Sequence, residues 1–163
     1  MPKFFMYILL ITVIISCNKN TTFTKYKSIN NTKWHKDSIV KFTVNIKDTL
    51  SKNTIYVNLR NNKDYDFNNL FLIIKVDFPN NFNITDTLEY EMTDKKGVFL
   101  GTGFTDIKEN KLEYKTNVVF PTKGAYVFSI KQAMRKLGKE NGVTYLNGIN
   151  DVGLEIEKQE LHD

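Results

Sequence analysis

The stretch Val40-Lys41-Phe42-Thr43-Val44-Asn45-Ile46 alternates apolar and polar residues without a break. A period of two puts Val40, Phe42, Val44 and Ile46 on one face of an extended strand and Lys41, Thr43 and Asn45 on the other, whereas a helix would scatter the apolar set around its circumference. The same period returns along the chain. Ile55, Val57 and Leu59 alternate with Tyr56, Asn58 and Arg60, and Leu88, Tyr90 and Met92 alternate with Glu89 and Glu91. Leu112, Tyr114, Val118 and Phe120, then Tyr126, Phe128 and Ile130, then Val152, Leu154 and Ile156 carry it on. Residues 70–78 are apolar on both faces at first, as a central strand requires. Turn-forming residues part these runs: Lys47-Asp48, Asn61-Asn62-Lys63-Asp64, Pro79-Asn80-Asn81, Asp94-Lys95-Lys96-Gly97, Glu109-Asn110, Pro121 with Gly124, and Gly138. The best helical stretch, residues 132–137, amounts to one or two turns. Seven to nine strands over about 125 residues predict an all-β antiparallel β-sandwich, Ig-like or jelly-roll-like, in which two sheets bury their alternating faces against each other.

Composition agrees. The chain has 163 residues, 41% hydrophobic and 25% charged, enough for one domain with a real core and too apolar for wholesale disorder. The formal charge of +5 comes from scattered lysines and reads as solubility. Arg60 and Arg135 are the only arginines, and no basic–aromatic interleaving suggests a nucleic-acid surface.

The single cysteine, Cys17, rules out an intrachain disulfide. Ahead of it stand Lys3 and an unbroken run from Phe4 to Ile15. A core of about 12 residues suits a signal peptide and is short of the roughly 20 that span a bilayer. Ile14-Ile15-Ser16-Cys17 resembles a bacterial lipobox. That resemblance implies a cut before Cys17 and a diacylglycerol thioether on its sulfur. Each buried methylene contributes about 0.8 kcal/mol, so two or three acyl chains hold the protein durably. The expected organisation is a lipoprotein signal peptide at 1–16, a lipidated cysteine and flexible tether at 17–33, and a sandwich domain at 34–163. Phe23 and Tyr26 interrupt the polar tether as possible docking residues.

A search for chemistry returns no constellation. His35 and His162 lie far apart in sequence, and no Gly-x-Ser-x-Gly elbow is present. Asp64 and Asp66 flank Tyr65, but the rest of a calcium loop is missing. Glu89 and Glu91 read as a wet sheet face. Gly101-Thr102-Gly103 lacks the third glycine and the strand-to-helix setting of a dinucleotide site, so its glycines are expected to permit a bend or bulge. The expectation is a protein without enzymatic activity, metal, cofactor or small-molecule substrate.

Several blocks together resemble one family. They are Tyr26-Lys27-Ser28, Trp34-His35-Lys36-Asp37-Ser38, Arg60-Asn61-Asn62-Lys63-Asp64-Tyr65-Asp66-Phe67-Asn68-Asn69-Leu70, Asp86-Thr87-Leu88-Glu89-Tyr90, Gly101-Thr102-Gly103-Phe104-Thr105-Asp106-Ile107-Lys108, Ser129-Ile130-Lys131-Gln132-Ala133-Met134-Arg135 and Gly148-Ile149-Asn150-Asp151-Val152-Gly153-Leu154. Behind a lipobox, they look like the gliding-motility lipoproteins GldH of the Bacteroidota. The resemblance implies a non-enzymatic accessory or assembly factor for gliding and the associated type IX secretion system, with other envelope proteins as partners. It transfers one residue role, lipidation, onto Cys17. Asn18-Lys19-Asn20-Thr21-Thr22 has no acidic residue of the kind that marks surface export in that phylum, and no Asp follows Cys17. Both point to the outer membrane and its periplasmic face.

Loops on a rigid scaffold commonly carry recognition, which singles out residues 60–69 and 97–108. The candidate contacts are Arg60, Asn62, Asp64, Tyr65, Asn68, Gly101, Gly103 and Asp106. The alternative for Asn61, Asn62, Asp64 and Asn68 is that they satisfy turn backbones. The second functional reading is a glycan-binding lipoprotein, with Trp34, Tyr56 and Tyr65 exposed to stack on sugar rings.

Overall fold

A computed structural model of the protein describes residues 20–103 and 105–160. Ten strands account for most of them: β1 (Thr21–Ser28), β2 (Lys33–His35), β3 (Val40–Ile46), β4 (Asn53–Asn61), β5 (Asn69–Asp77), β6 (Asn83–Glu91), β7 (Lys108–Val118), β8 (Gly124–Gln132), β9 (Tyr145–Asn147) and β10 (Ile149–Lys158). One sheet has the order β1-β10-β4-β7, the other β3-β8-β5-β6, and β2 pairs with β9 in a short ribbon. All these pairings are antiparallel.

The alternation read from the sequence becomes the core. Val57, Leu59, Val152 and Leu154 face inward from the first sheet, and Phe42, Leu72, Ile74, Phe128 and Ile130 face them from the second. Burying each such side chain contributes about 1.5–3 kcal/mol. Side chains close the seam between edge strands β6 and β7. The Tyr114 hydroxyl donates to Asp86 Oδ2 at 2.7 Å, Lys115 Nζ lies 2.8 Å from the same oxygen, and the Tyr90 hydroxyl donates to the Glu113 carbonyl at 2.9 Å.

Three expectations are corrected. The tether expected at 17–33 does not extend through those residues, because Thr21–Ser28 is strand β1, paired with β10 from Thr21↔Glu157 to Ser28↔Asp151. Phe23 packs on the core, while the polar residues around it suit an edge strand with a wet outer face. The stretch 132–137 is not helical. Gln132 ends β8 and ties the following segment down, its Oε1 accepting from the Met134 N–H at 2.9 Å and its Nε2 donating to the Val143 carbonyl at 2.8 Å. Glu109-Asn110 is not a turn but lies inside β7, where Asn110 is buried and donates to Asn61 Oδ1 at 2.8 Å. The signal peptide and Cys17 lie outside the described residues.

The registers sort the connections between two ends. Thr21, the β3–β4 connection (47–52), the β5–β6 connection (78–82) and the β7–β8 connection (119–123) share one end. The β4–β5 (62–68), β6–β7 (92–107) and β8–β9 (133–144) connections share the other.

Candidate contact surface

The β4–β5 connection is shaped by its own side chains. Asn62 Oδ1 accepts from the Asp64 N–H at 2.9 Å, and the Asn62 N–H donates to the Gly148 carbonyl at 2.9 Å. Gly148 has φ +77°, and a Cβ there would sit 2.3 Å from the Tyr65 nitrogen, so the turn into β10 packs directly against the loop. Tyr65 is buried, and its hydroxyl donates to the Asn69 carbonyl at 2.7 Å. Burial pushes that hydroxyl's pKa above its ordinary range. Asn62 and Tyr65 thus build the loop, while Asp64, Asp66 and Asn68 are left exposed on it.

The two candidate segments meet. The Asn68 carbonyl accepts from the N–H groups of Met92 (2.8 Å) and Thr93 (3.3 Å), and Phe99 lies against Tyr65 with centroids 6.4 Å apart. Gly101 runs so close to β7 that a Cβ would fall 2.8 Å from Asn110 Oδ1. Gly103, at φ +148°, would place a Cβ 2.5 Å from the Ile107 carbonyl oxygen. Both glycines serve the backbone's path and offer no group of their own. Around them Asp106 is exposed, as are the apolar side chains of Val98, Leu100 and Ile107. Between this rim and β6 runs an open cleft of about 850 Å³ whose walls include Asp66, Glu89, Glu91, Asp94, Lys95 and Leu100. Its charge is predominantly acidic. Among the described residues no three His, Cys, Asp or Glu side chains form a metal cage.

Arg60 is placed elsewhere. It stands on the outer face of β4, and its guanidinium carbon lies 4.2 Å from the Tyr26 ring centroid. Its Nε is 3.4 Å from Glu109 Oε2 and its Nη1 3.8 Å from Asp151 Oδ2. The Tyr26 hydroxyl donates to Glu109. Burial, with help from Glu109, pushes that hydroxyl up to about 12. One row along, Lys111 Nζ contacts Glu157 at 2.7 Å and Glu155 at 3.1 Å, and Asn58 Nδ2 donates to Glu155 Oε2 at 2.6 Å. Burial alone would raise the Glu155 carboxyl, but the Asn58 and Lys111 donors outweigh it and hold the pKa below the usual value. This network was missed in the sequence because its members come from four strands whose order the pattern does not specify.

The aromatic platform expected for sugars does not exist in that form. Trp34 is fully buried, its Nε1 donating to the Ser38 carbonyl at 2.9 Å, and Tyr65 is buried as well. Tyr56 is half-buried and lies under Lys111 Nζ, 4.3 Å from its ring centroid.

A family model described as GldH lipoprotein matches residues 21–156, which take in both sheets from β1 into β10. The chain belongs to the GldH lipoprotein family. It is 49% identical over 155 residues to the gliding motility lipoprotein GldH of Flavobacterium johnsoniae, covering 94% of this chain and 96% of that one. It is 47% identical over 156 residues to a gliding motility lipoprotein GldH homolog of Christiangramia forsetii, covering 96% and 95% respectively. Among solved structures, the infectious bursal disease virus VP2 subviral particle is similar at TM-score 0.36 and 13% identity over 84% of this chain and 34% of that one, too distant to carry an argument. Membership in the GldH lipoproteins makes this a lipid-anchored protein of the cell envelope. The family match begins at Thr21, the first residue of β1, in agreement with a domain that starts ahead of Trp34.

Proposed function

We propose that this chain is a non-enzymatic accessory or assembly factor of the gliding apparatus and the type IX secretion machinery associated with it. It is anchored through Cys17 on the periplasmic face of the outer membrane. The names of its relatives support the gliding assignment. The observation that carries the partner-binding role is the joining of the β4–β5 and β6–β7 connections into one rim at the end away from Thr21. That rim mixes exposed apolar side chains with carboxylates and lysines, the composition of a contact surface with a polar border. Of the candidate contacts on this rim, Asp64 and Asp106 are the exposed charges with no structural task among the described residues, so the contact reading rests on them and not on Asn62, Tyr65 or the glycines.

The test is crosslinking and pull-down from membranes of cells expressing tagged wild type, Cys17→Ser, or Asp64→Lys/Asp106→Lys. Wild type is expected to recover envelope components of gliding or secretion. The loop variant should lose them while staying membrane-bound, and Cys17→Ser should lose the membrane as well. Full recovery by the loop variant would reject the rim. Antibody access to the protein on intact cells would reject the periplasmic face.

A further inference from the structure

We propose that the end of the sandwich bearing Thr21 is a lipid-seating surface, in which Leu50, Phe82 and Val119 enter the headgroup region of the bilayer and Lys47, Lys52 and Lys123 meet anionic headgroups. The proposal rests on the reading of Cys17 as the lipidated residue.

Chain length sets the first constraint. Strand β1 begins at Thr21, four residues past Cys17. At 3.3–3.6 Å per residue the reach is at most about 14 Å. The headgroup layer of one leaflet is roughly 5–8 Å deep, from the difference between total and hydrocarbon thickness. The reach exceeds that depth by only about 6–9 Å, so this end stays beside the membrane surface and the connections that surround Thr21 come within reach of the lipid.

The composition of those connections is the second, independent observation. Leu50 is 88% exposed, Phe82 55% and Val119 43%, one on each of the three connections at this end. Leu50 and Phe82 are held in place. Asp48 holds the Leu50 loop in shape: its Oδ1 accepts from the N–H groups of Leu50 (2.9 Å) and Ser51 (3.1 Å), and its Oδ2 from Ser51 Oγ (2.6 Å) and Lys158 Nζ (3.2 Å). Phe82 meets Phe78 edge-on with centroids 5.2 Å apart, Phe78 meets Tyr126 at a tilt at 5.0 Å, and Phe120 meets Tyr126 edge-on at 5.0 Å. The Tyr126 hydroxyl donates to the Thr122 carbonyl at 2.9 Å. A chain of aromatic contacts thus runs from the core out to an exposed ring. A rigidly presented apolar side chain loses little conformational entropy on entering lipid.

Charge points the same way. Lys47, Lys52 and Lys123 are exposed on the same connections, with long stems that cover apolar surface while the ammonium stays at the headgroups. The acids of this end are engaged: Asp48 with Lys158, Asp77 with Lys75 at 2.6 Å, Glu157 with Lys111, and Glu160 with the Asn20 amide at 2.7 Å. The opposite rim carries Asp64, Asp66, Asp94 and Asp106 exposed beside Lys63, Lys95 and Lys96. The Thr21 end thus sets exposed cations beside apolar tips, whereas the opposite rim mixes charges of both signs.

The experiment uses the full lipidated chain, purified and reconstituted into vesicles of phosphatidylethanolamine and phosphatidylglycerol at 3:1. Lipidation blocks Cys17, so one introduced cysteine is the sole free thiol. Leu50→Cys, Phe82→Cys and, as reference, Leu137→Cys at a fully exposed position of the β8–β9 connection each receive an environment-sensitive fluorophore. Probes at 50 and 82 are expected to be blue-shifted and quenched several-fold more by doxyl-labelled lipid than the probe at 137. In the Lys47→Glu/Lys52→Glu/Lys123→Glu background that excess should fall by at least half while the protein still floats with the vesicles. If Cys17 is blocked and the probes at 50 and 82 are as open to iodide as the probe at 137, the seating surface is overturned and the anchor stands. If a thiol reagent labels Cys17 in the otherwise unaltered chain, the anchor falls and the seating surface with it.

Discussion

The guanidinium of Arg60 lies 4.2 Å from the centre of the Tyr26 ring, and both side chains converge on Glu109. Arg60 is on β4 and Tyr26 on β1, with β10 between them. The contact spans an intervening strand because β10 carries Gly153 opposite Tyr26 and Asn58. Arg60→Ala is expected to destabilise the domain by about 1 kcal/mol, the scale of a partly exposed cation–π contact with an ion pair. Tyr26→Leu should cost a similar amount, and the double variant less than the sum of the two. Urea titrations of the three variants measure the coupling, and strict additivity would deny it.

Gly153 itself makes a sharper prediction. A Cβ there would meet the Tyr26 ring at 2.8 Å and Asn58 Cβ at 3.2 Å. Gly153→Ala must displace the ring, an overpacking cost of about 1–3 kcal/mol. Chymotryptic cleavage within β1 should rise in this variant, because the strand loses its clamp. Adding Tyr26→Ala should restore part of the stability. If the second substitution made matters worse by its full single-variant cost, the clash would not be the cause.

Asp86 gives the seam between β6 and β7 a pH dependence. The Lys115 and Tyr114 hydrogen bonds hold its carboxyl below the usual aspartate value. A depressed folded-state pKa contributes stability that is complete above the unfolded value near 4 and is lost as pH falls through the folded one. Wild type should therefore exceed Asp86→Asn in stability by its widest margin above about pH 4, with the gap closing in acid. Thermal melts from pH 6 down to pH 2.5 read this directly, and a gap that widened in acid would reverse the assignment.

Trp34 belongs to the fold and not to a binding platform. Trp34→Ala is expected to cost about 3–5 kcal/mol, as truncation of a fully buried large aromatic does. Any loss of a binding activity in that variant should track loss of the folded state in circular dichroism. A Trp34→Ala chain that melted like wild type would show that the indole does not support the core.

Legibility in the sequence followed burial. Strands with one face against the core, such as Val40–Ile46 and the Ile55–Leu59 run within β4, announced themselves because half of their residues must be apolar. β1 did not, since an edge strand over a sheet rim needs little apolar surface: Phe23 packs inward, and backbone pairing, the Tyr26 ring and the Thr22 and Ser28 hydroxyls, which donate to β10, do the rest. β2 and β9 are three residues each, too short for any period to show. The Asn-rich loop was read for its turns, and Asn62 does serve one, but nothing local reveals that Tyr65 turns inward under Gly148. Trp34 was misplaced for a related reason. A lone aromatic ahead of the first clear strand looks exposed until β9, 112 residues later, supplies its ribbon partner in the Trp34↔Leu146 pairing, and its neighbours in sequence say nothing of that distant one.

The pairing of β1 with β10 has a mechanical consequence. Hydrogen bonds of an antiparallel pair lie perpendicular to the strands. With Cys17 in the bilayer and a partner on the opposite rim, as proposed, the chain would be held from the Thr21 end of β1 and pulled from the other end of the sandwich. Tension between the two runs along β1 and slides it past β10, so the rungs from Thr21 to Ser28 bear the load together and do not peel one at a time. A moving envelope machine tugging on this protein would thus meet its stiffest direction.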